Sequence, residues 1–194
     1  MRGKTRAEIR LFRRDEMERI LTHMPSRSLL PARLGANLGL SGPELFSLEW
    51  LWVDFNKNEM FVKWSPHVTG RFVLLPRAIT RCLETHKSLA PSSLKVLSNP
   101  DGGPLRAHTF HRDFKSACKE AGIENGSFGD IRLSNARWLL EAGAQPSLVA
   151  ARLGMNRHTI RRHFGANTDE QEKEYLPIYK LIDQLVVLGQ PTSQ

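Results

Sequence analysis

Apolar residues recur along this chain with two different periods. From Asp15 onward, Met17, Ile20, Leu21 and Met24 keep the i, i+3, i+4, i+7 spacing of a buried helical stripe. Leu29 to Leu40 predicts a second helix, packed closely through the small residues Ala32, Gly35 and Ala36. Ser41-Gly42-Pro43-Glu44 breaks that run and restarts a third helix, with Ser41 as N-cap and Pro43 in its first turn. The period then shortens. "EMFVKW" (59–64) and "RFVLLP" (71–76) predict two short strands joined by "SPHVTG", a hairpin on turn residues. Helical spacing returns over Ile79–Leu89, and "LKVLSNPDGGPL" predicts a third short strand running into a Gly/Pro turn. Four more helices are predicted over about 108–121, 130–143, 146–153 and 157–165. A last amphipathic segment, 172–188, carries Tyr175, Leu176, Tyr179, Ile182, Leu185 and Val186 on its apolar side. The pattern predicts a mainly α fold with a small antiparallel β-sheet, an α+β class. Its expected organisation is a basic N-terminal arm (1–14), one folded unit (15–167) and a C-terminal helix and tail (168–194).

Composition adds a partner to this picture. Over 194 residues, 28 Lys+Arg stand against 20 Asp+Glu, a formal charge of +8 that favours a polyanion such as nucleic acid. The arm concentrates that charge, with Arg2, Lys4, Arg6, Arg10, Arg13 and Arg14 against Glu8 alone, and suits a phosphate backbone or a solvated tail equally. The two cysteines, Cys82 and Cys118, form no CxxC and meet no His cluster, so neither a disulfide framework nor a metal site is expected, and no cofactor. No apolar run reaches the ~18–20 residues of a membrane helix, and the N-terminus lacks a signal-peptide core. A cytoplasmic protein, nucleoid-associated when bound to DNA, is the expectation.

The order of elements and several local motifs resemble the catalytic domain of the tyrosine recombinases, or phage integrases. "LGANLGLSGPELFSLEWLWVDF" is similar to the family's helix–turn segment, "RFVLLP" to its second hairpin strand, and "GDIRLSNARWLLEAGAQPSLVAARLG" to its most specific block. The likeness covers roughly 12–167 and is most specific over Gly129 to Gly154. It implies a tyrosine-recombinase catalytic-domain-like fold. It also implies six groups around one phosphate: two arginines and two histidines stabilising charge, a hairpin lysine protonating the leaving oxygen, and an attacking tyrosine. Carried over residue by residue, the first arginine falls on Ser41, the first histidine on Gly129, the second on Met155 and the tyrosine on Phe164. The second arginine is present as Arg132. Lys63 lies before the hairpin turn and His67 within it, and neither matches the lysine securely. These replacements predict a degenerate site, no catalytic residue and no enzyme activity.

DNA contacts are expected elsewhere. His108, His111, Arg112, Lys115 and Lys119 form a basic stripe at helical spacing, opposite Phe110, Phe114 and Ala117. Arg157, Arg161 and Arg162 stud the last helix before Phe164, and Arg71 borders the hairpin. Arg132 suits either a DNA phosphate or a carboxylate such as Asp130 or Glu44. Arg137 completes an apolar helix, and Trp50, Trp52, Trp64 and Trp138 read as core residues. The expected function is a DNA-binding protein, regulating transcription or assisting recombination on a mobile element such as a plasmid. Alternatives are a modulator of an active recombinase, or an active recombinase whose nucleophile is Tyr175 or Tyr179. Double-stranded DNA is the expected partner, without a membrane; the 172–188 stripe suits a homodimer contact or self-docking.

Overall fold

In a computed structural model, the described residues are 10–63, 70–89, 92–99 and 103–165. The predicted arm up to residue 9, Trp64, the turn containing His67, and the tail with Tyr175 and Tyr179 lie outside them. Eight helices are described: α1 Arg14–Thr22, α2 Ser26–Leu38, α3 Gly42–Ser47, α4 Arg77–Leu89, α5 Ala107–Glu120, α6 Ile131–Glu141, α7 Pro146–Leu153 and α8 Arg157–Phe164. Between α3 and α4 lies an antiparallel sheet in the order β1 (Val53–Asp54), β2 (Glu59–Val62), β3 (Arg71–Leu74).

Amphipathic spacing explains the helices. Met17, Ile20 and Leu21 bury one face of α1, whose first turn is held by the Glu16 carboxylate accepting from the Arg13 amide at 2.9 Å. On α5, Phe110, Phe114, Ala117 and Cys118 are buried while the basic positions opposite stay in water. Phe110, Phe114 and Phe128 meet edge-on or tilted, with centroids 4.7 to 6.2 Å apart, and centre the main core. Burial pushes the Cys118 thiol up to about 11, so it behaves there as a small apolar group. A second, smaller core gathers Leu139, Val149, Leu153 and Ile160 from α6, α7 and α8.

The structure corrects three expectations. The third strand is β1, only two residues long; the stretch around 94–105 makes isolated bridges, Glu49 with Lys95 and Ser98 with Pro104. Helix α2 starts at Ser26 rather than Leu29 and carries Pro31 inside it, where the burial of Leu30, Pro31, Ala32 and Leu34 outweighs the missing N–H. It stops at Gly39, whose left-handed φ of 65° ends the helix before Leu40. Trp50 and Trp138 are buried in the core, but Trp52 is half-exposed beside the sheet.

Candidate DNA-phosphate cleft

Four elements converge on one buried carboxylate. Glu44, in the first turn of α3, is 2% exposed. Its Oε2 accepts from both the amide and the hydroxyl of Ser41 at 2.8 Å, so Ser41 closes the N-terminus of α3 through Glu44. Its Oε1 accepts from Arg71 Nη1 on β3. Arg132, near the start of α6, reaches both oxygens, Nη1 to Oε2 at 3.3 Å and Nη2 to Oε1 at 3.4 Å. Asp130, the other carboxylate open to Arg132 in the sequence, instead accepts from the Ser127 amide and hydroxyl at 3.0 and 2.6 Å.

The loop between α7 and α8 closes this arrangement. Arg132 Nη2 donates to the Leu153 carbonyl, and Arg71 Nε donates to the Arg152 carbonyl at 2.6 Å. Arg152 in turn donates to the Leu74 carbonyl at 3.2 Å and ties α7 to β3. Gly154 follows in the left-handed region at φ 60°. A Cβ there would fall 2.6 Å from Arg71 Nη1 and 3.2 Å from Arg132 Nη2, so both guanidinium groups face bare backbone.

Charge in the cluster does not balance. Arg71 and Arg132 pair with one glutamate, and Arg152 lies close enough to Arg71 to be repelled by it, so these four groups carry an excess of two positive charges. Burial by itself would raise the Glu44 carboxyl; the hydrogen bond from Arg71, the Ser41 amide and the charges of Arg132 and Arg71 outweigh it and hold the group below the usual carboxylate range. Burial lowers Arg132, against the pull of Glu44. Burial and then repulsion from Arg71 bring Arg152 down to about 10, which leaves it protonated at neutral pH. Arg71 Nη2, Arg132 Nε and Arg152 Nε are buried without an acceptor among the described residues, while the outer edges of Arg71 and Arg132 stay 17% and 21% exposed. Such a cluster suits an anion with several acceptor oxygens.

The other predicted positions divide into two sets. His111, Arg112, Lys115 and Lys119 are all exposed on α5. Arg112, Lys115 and Lys119 border an open groove of about 590 Å³ closed on its far side by residues 122–126. His111 reaches toward the cleft, with Nε2 3.8 Å from where a Cβ on Gly42 would stand. Arg157, Arg161 and Arg162 are exposed on α8, around the buried Ile160. Met155 and Phe164 instead pack against the smaller core. At Gly129 a Cβ would meet the Ser127 hydroxyl at 3.6 Å. Lys63, just past β2, holds its ammonium 5.6 Å from the Trp52 ring centroid. Arg137 is structural: it donates to the Phe12 carbonyl at 2.7 Å.

Sequence reasoning does not single out Arg152. Its signal is there, a lone arginine in phase with the buried Val149 and Leu153 on an otherwise apolar helix. Asp113 escapes it likewise; buried on α5, it accepts from Arg27 twice at 2.8 Å and from Ser28 at 2.7 Å, and locks α5 to α2.

Residues 10–171 match the Phage integrase family. Among solved structures, XerA recombinase superposes with a TM-score of 0.71 at 18% identity, over 81% of this chain and 61% of that one. A lambda integrase (75–356) dimer bound to a COC′ core site gives 0.67 at 18% identity, over 88% and 65%. The integrase from mycobacterium phage Brujita gives 0.63 at 20% identity, over 96% and 66%. This chain therefore spans about three fifths of the XerA recombinase chain. No curated protein matches.

The family match corrects the expectation that the chain is not an enzyme, because integrases are DNA strand-transfer enzymes. Replacement at Ser41, Gly129, Met155 and Phe164 describes four positions and does not establish inactivity; an attacking hydroxyl can come from elsewhere in the chain or from another subunit. Among the described residues, no helix is long and apolar enough to cross a membrane.

Proposed function

Because the chain belongs to the phage integrase family, we propose that it binds duplex DNA and acts on it in recombination. The exposed faces of α5 (His111, Arg112, Lys115, Lys119) and α8 (Arg157, Arg161, Arg162) meet the backbone, and Arg132 with Arg71 receives one phosphate. The observation that carries this reading is the excess of positive charge held by Arg71 and Arg132 on Glu44, with Arg152 beside Arg71. A phosphodiester supplies the missing counter-charge and accepts the forked contacts of a guanidinium.

Any strand transfer draws its attacking hydroxyl from Tyr175 or Tyr179, the only two tyrosines in the sequence, or from a second subunit. A regulatory or accessory role on a mobile element, including modulation of another recombinase, is the second reading. It is favoured by Met155 and Phe164, whose apolar side chains pack against the smaller core. A homodimer through the C-terminal segment is part of the same proposal.

The test is duplex binding by the full chain across a salt series, followed by incubation with a nicked duplex that traps covalent intermediates. The expected result is a log affinity that falls linearly with log salt, by about 0.9 for each phosphate neutralised. Salt-independent binding, or none at low salt, overturns the proposal. A peptide-mapped adduct identifies the tyrosine used, and binding seen only with a recombinase present selects the modulator reading.

A further inference from the structure

The outer face of the sheet carries three aromatic rings that the cleft does not use. Phe61 and Phe72 stand directly opposite each other on β2 and β3, with ring centroids 5.2 Å apart. Trp52 lies edge-on to Phe61 at 6.5 Å. Met60, Val62 and Val73 are fully buried on the inner face, so strand alternation turns Phe61 and Phe72 away from the core. Phe72 is 70% exposed, the others half-buried. Gly70 clears the space beside them: a Cβ there would fall 2.1 Å from the Phe61 ring. The Lys63 ammonium lies over the Trp52 ring, 5.6 Å from its centroid.

A cross-strand aromatic pair stabilises a hairpin, which accounts for Phe61 meeting Phe72. It does not account for leaving most of Phe72 in water. Size limits the occupant. A whole aromatic side chain buries ~150–250 Å², so one mostly free ring and parts of two others offer on the order of 250 Å². That is well below the ~800 Å² per partner of a stable protein interface, and it matches one or two flat rings. Charge agrees: Lys63 holds a cation against Trp52 beside the other two rings, and the whole chain carries +8.

We propose that Trp52, Phe61 and Phe72 form a stacking platform for unpaired DNA bases, with Lys63 meeting an adjoining phosphate. Every base has a π-face, so the platform is indifferent to sequence and selects for an open strand. The proposal rests on the DNA-binding reading and extends it from duplex backbone to exposed bases.

The experiment measures binding of the full-length protein and its Phe72→Ala and Phe72→Tyr variants to three labelled probes: oligothymidylate, a perfect duplex, and the same duplex with a thymidine bulge. Wild type is expected to prefer the bulged over the perfect duplex. Phe72→Ala should weaken the oligothymidylate and the bulged duplex by about fivefold to 100-fold while leaving the perfect duplex unchanged. Phe72→Tyr should restore stacking. Equal wild-type affinity for bulged and perfect duplex, or equal loss on all probes, overturns the platform while leaving duplex binding intact. A Phe72→Ala effect confined to self-association in sedimentation makes the face a protein contact and also overturns it. Failure of wild type to bind any probe defeats the DNA reading itself.

Discussion

Arg112, Lys115 and Lys119 stand in water along α5, whereas Arg71 and Arg132 pair with Glu44 between α3, β3 and α6, and Arg152 joins them from α7 through the Leu74 carbonyl. Both regions are basic, but their charge is held in different ways. On α5 each cation is solvated, and its attraction for a phosphate is screened by salt. In the cleft the guanidinium groups have lost most of their water and are oriented by a carboxylate and three backbone carbonyls. The first arrangement gives long-range, adjustable attraction. The second gives one fixed geometry, and it ties the stability of the fold to the pairing of Glu44.

The largest expected effect breaks the cleft at its centre. Glu44→Leu removes the counter-charge of Arg71 and Arg132 and leaves them unpaired. Denaturant unfolding should show a loss of about 3–5 kcal/mol. An unchanged midpoint would mean that the arginines are solvated after all, like those of α5.

A smaller effect follows from acid. The Glu44 carboxyl is held below its ordinary range, so its contribution to stability is fully present above the unfolded-state value, near 4.5. That contribution disappears as pH falls through the depressed folded value. Asp113, lowered by its hydrogen bonds from Arg27 and Ser28, acts in the same direction. Melting temperature should therefore drop steeply below about pH 4.5, and Glu44→Gln should flatten part of that slope. A wild-type curve that stays level there would contradict the ion-paired cleft.

The smallest structural effect belongs to α5. Replacing Arg112 and Lys115 together by alanine should alter stability by less than about 0.5 kcal/mol, since both are exposed and neither anchors the core. The slope of log affinity against log salt should become shallower by about 0.9 for each phosphate that the variant no longer neutralises. An unchanged slope in the folded double variant would make the stripe a solvated face without a ligand.

The two regions are unequally legible in the sequence. The α5 stripe follows from spacing alone, because an exposed face needs no knowledge of what lies across from it. The cleft depends on residues far apart in the chain, Glu44, Arg71, Arg132 and Arg152, and periodicity cannot show which carboxylate an arginine meets. Helices with a clear apolar stripe, such as α1 and α5, are plain from their spacing. The two-residue β1 is too short to register, and the apolar stretch at 94–97 suggests a strand where only single bridges form. Replacement at Phe164 and its fellow positions is no proof of lost chemistry, because a set of replaced groups says nothing about what another segment or subunit brings.

The cleft is proposed to seat a DNA phosphate as well as to hold a structural ion pair. Duplex-binding isotherms and melting curves on Arg132→Ala and Arg132→Lys test it most directly. Arg132→Ala should weaken binding by the folded protein by about 10- to 150-fold, the loss of a charge-assisted hydrogen bond of about 1.5–3 kcal/mol. Arg132→Lys should recover only part of it, since an ammonium lacks the guanidinium fork. If both variants melt earlier but bind duplex as tightly as wild type, Arg132 serves only Glu44 and the phosphate seat does not exist.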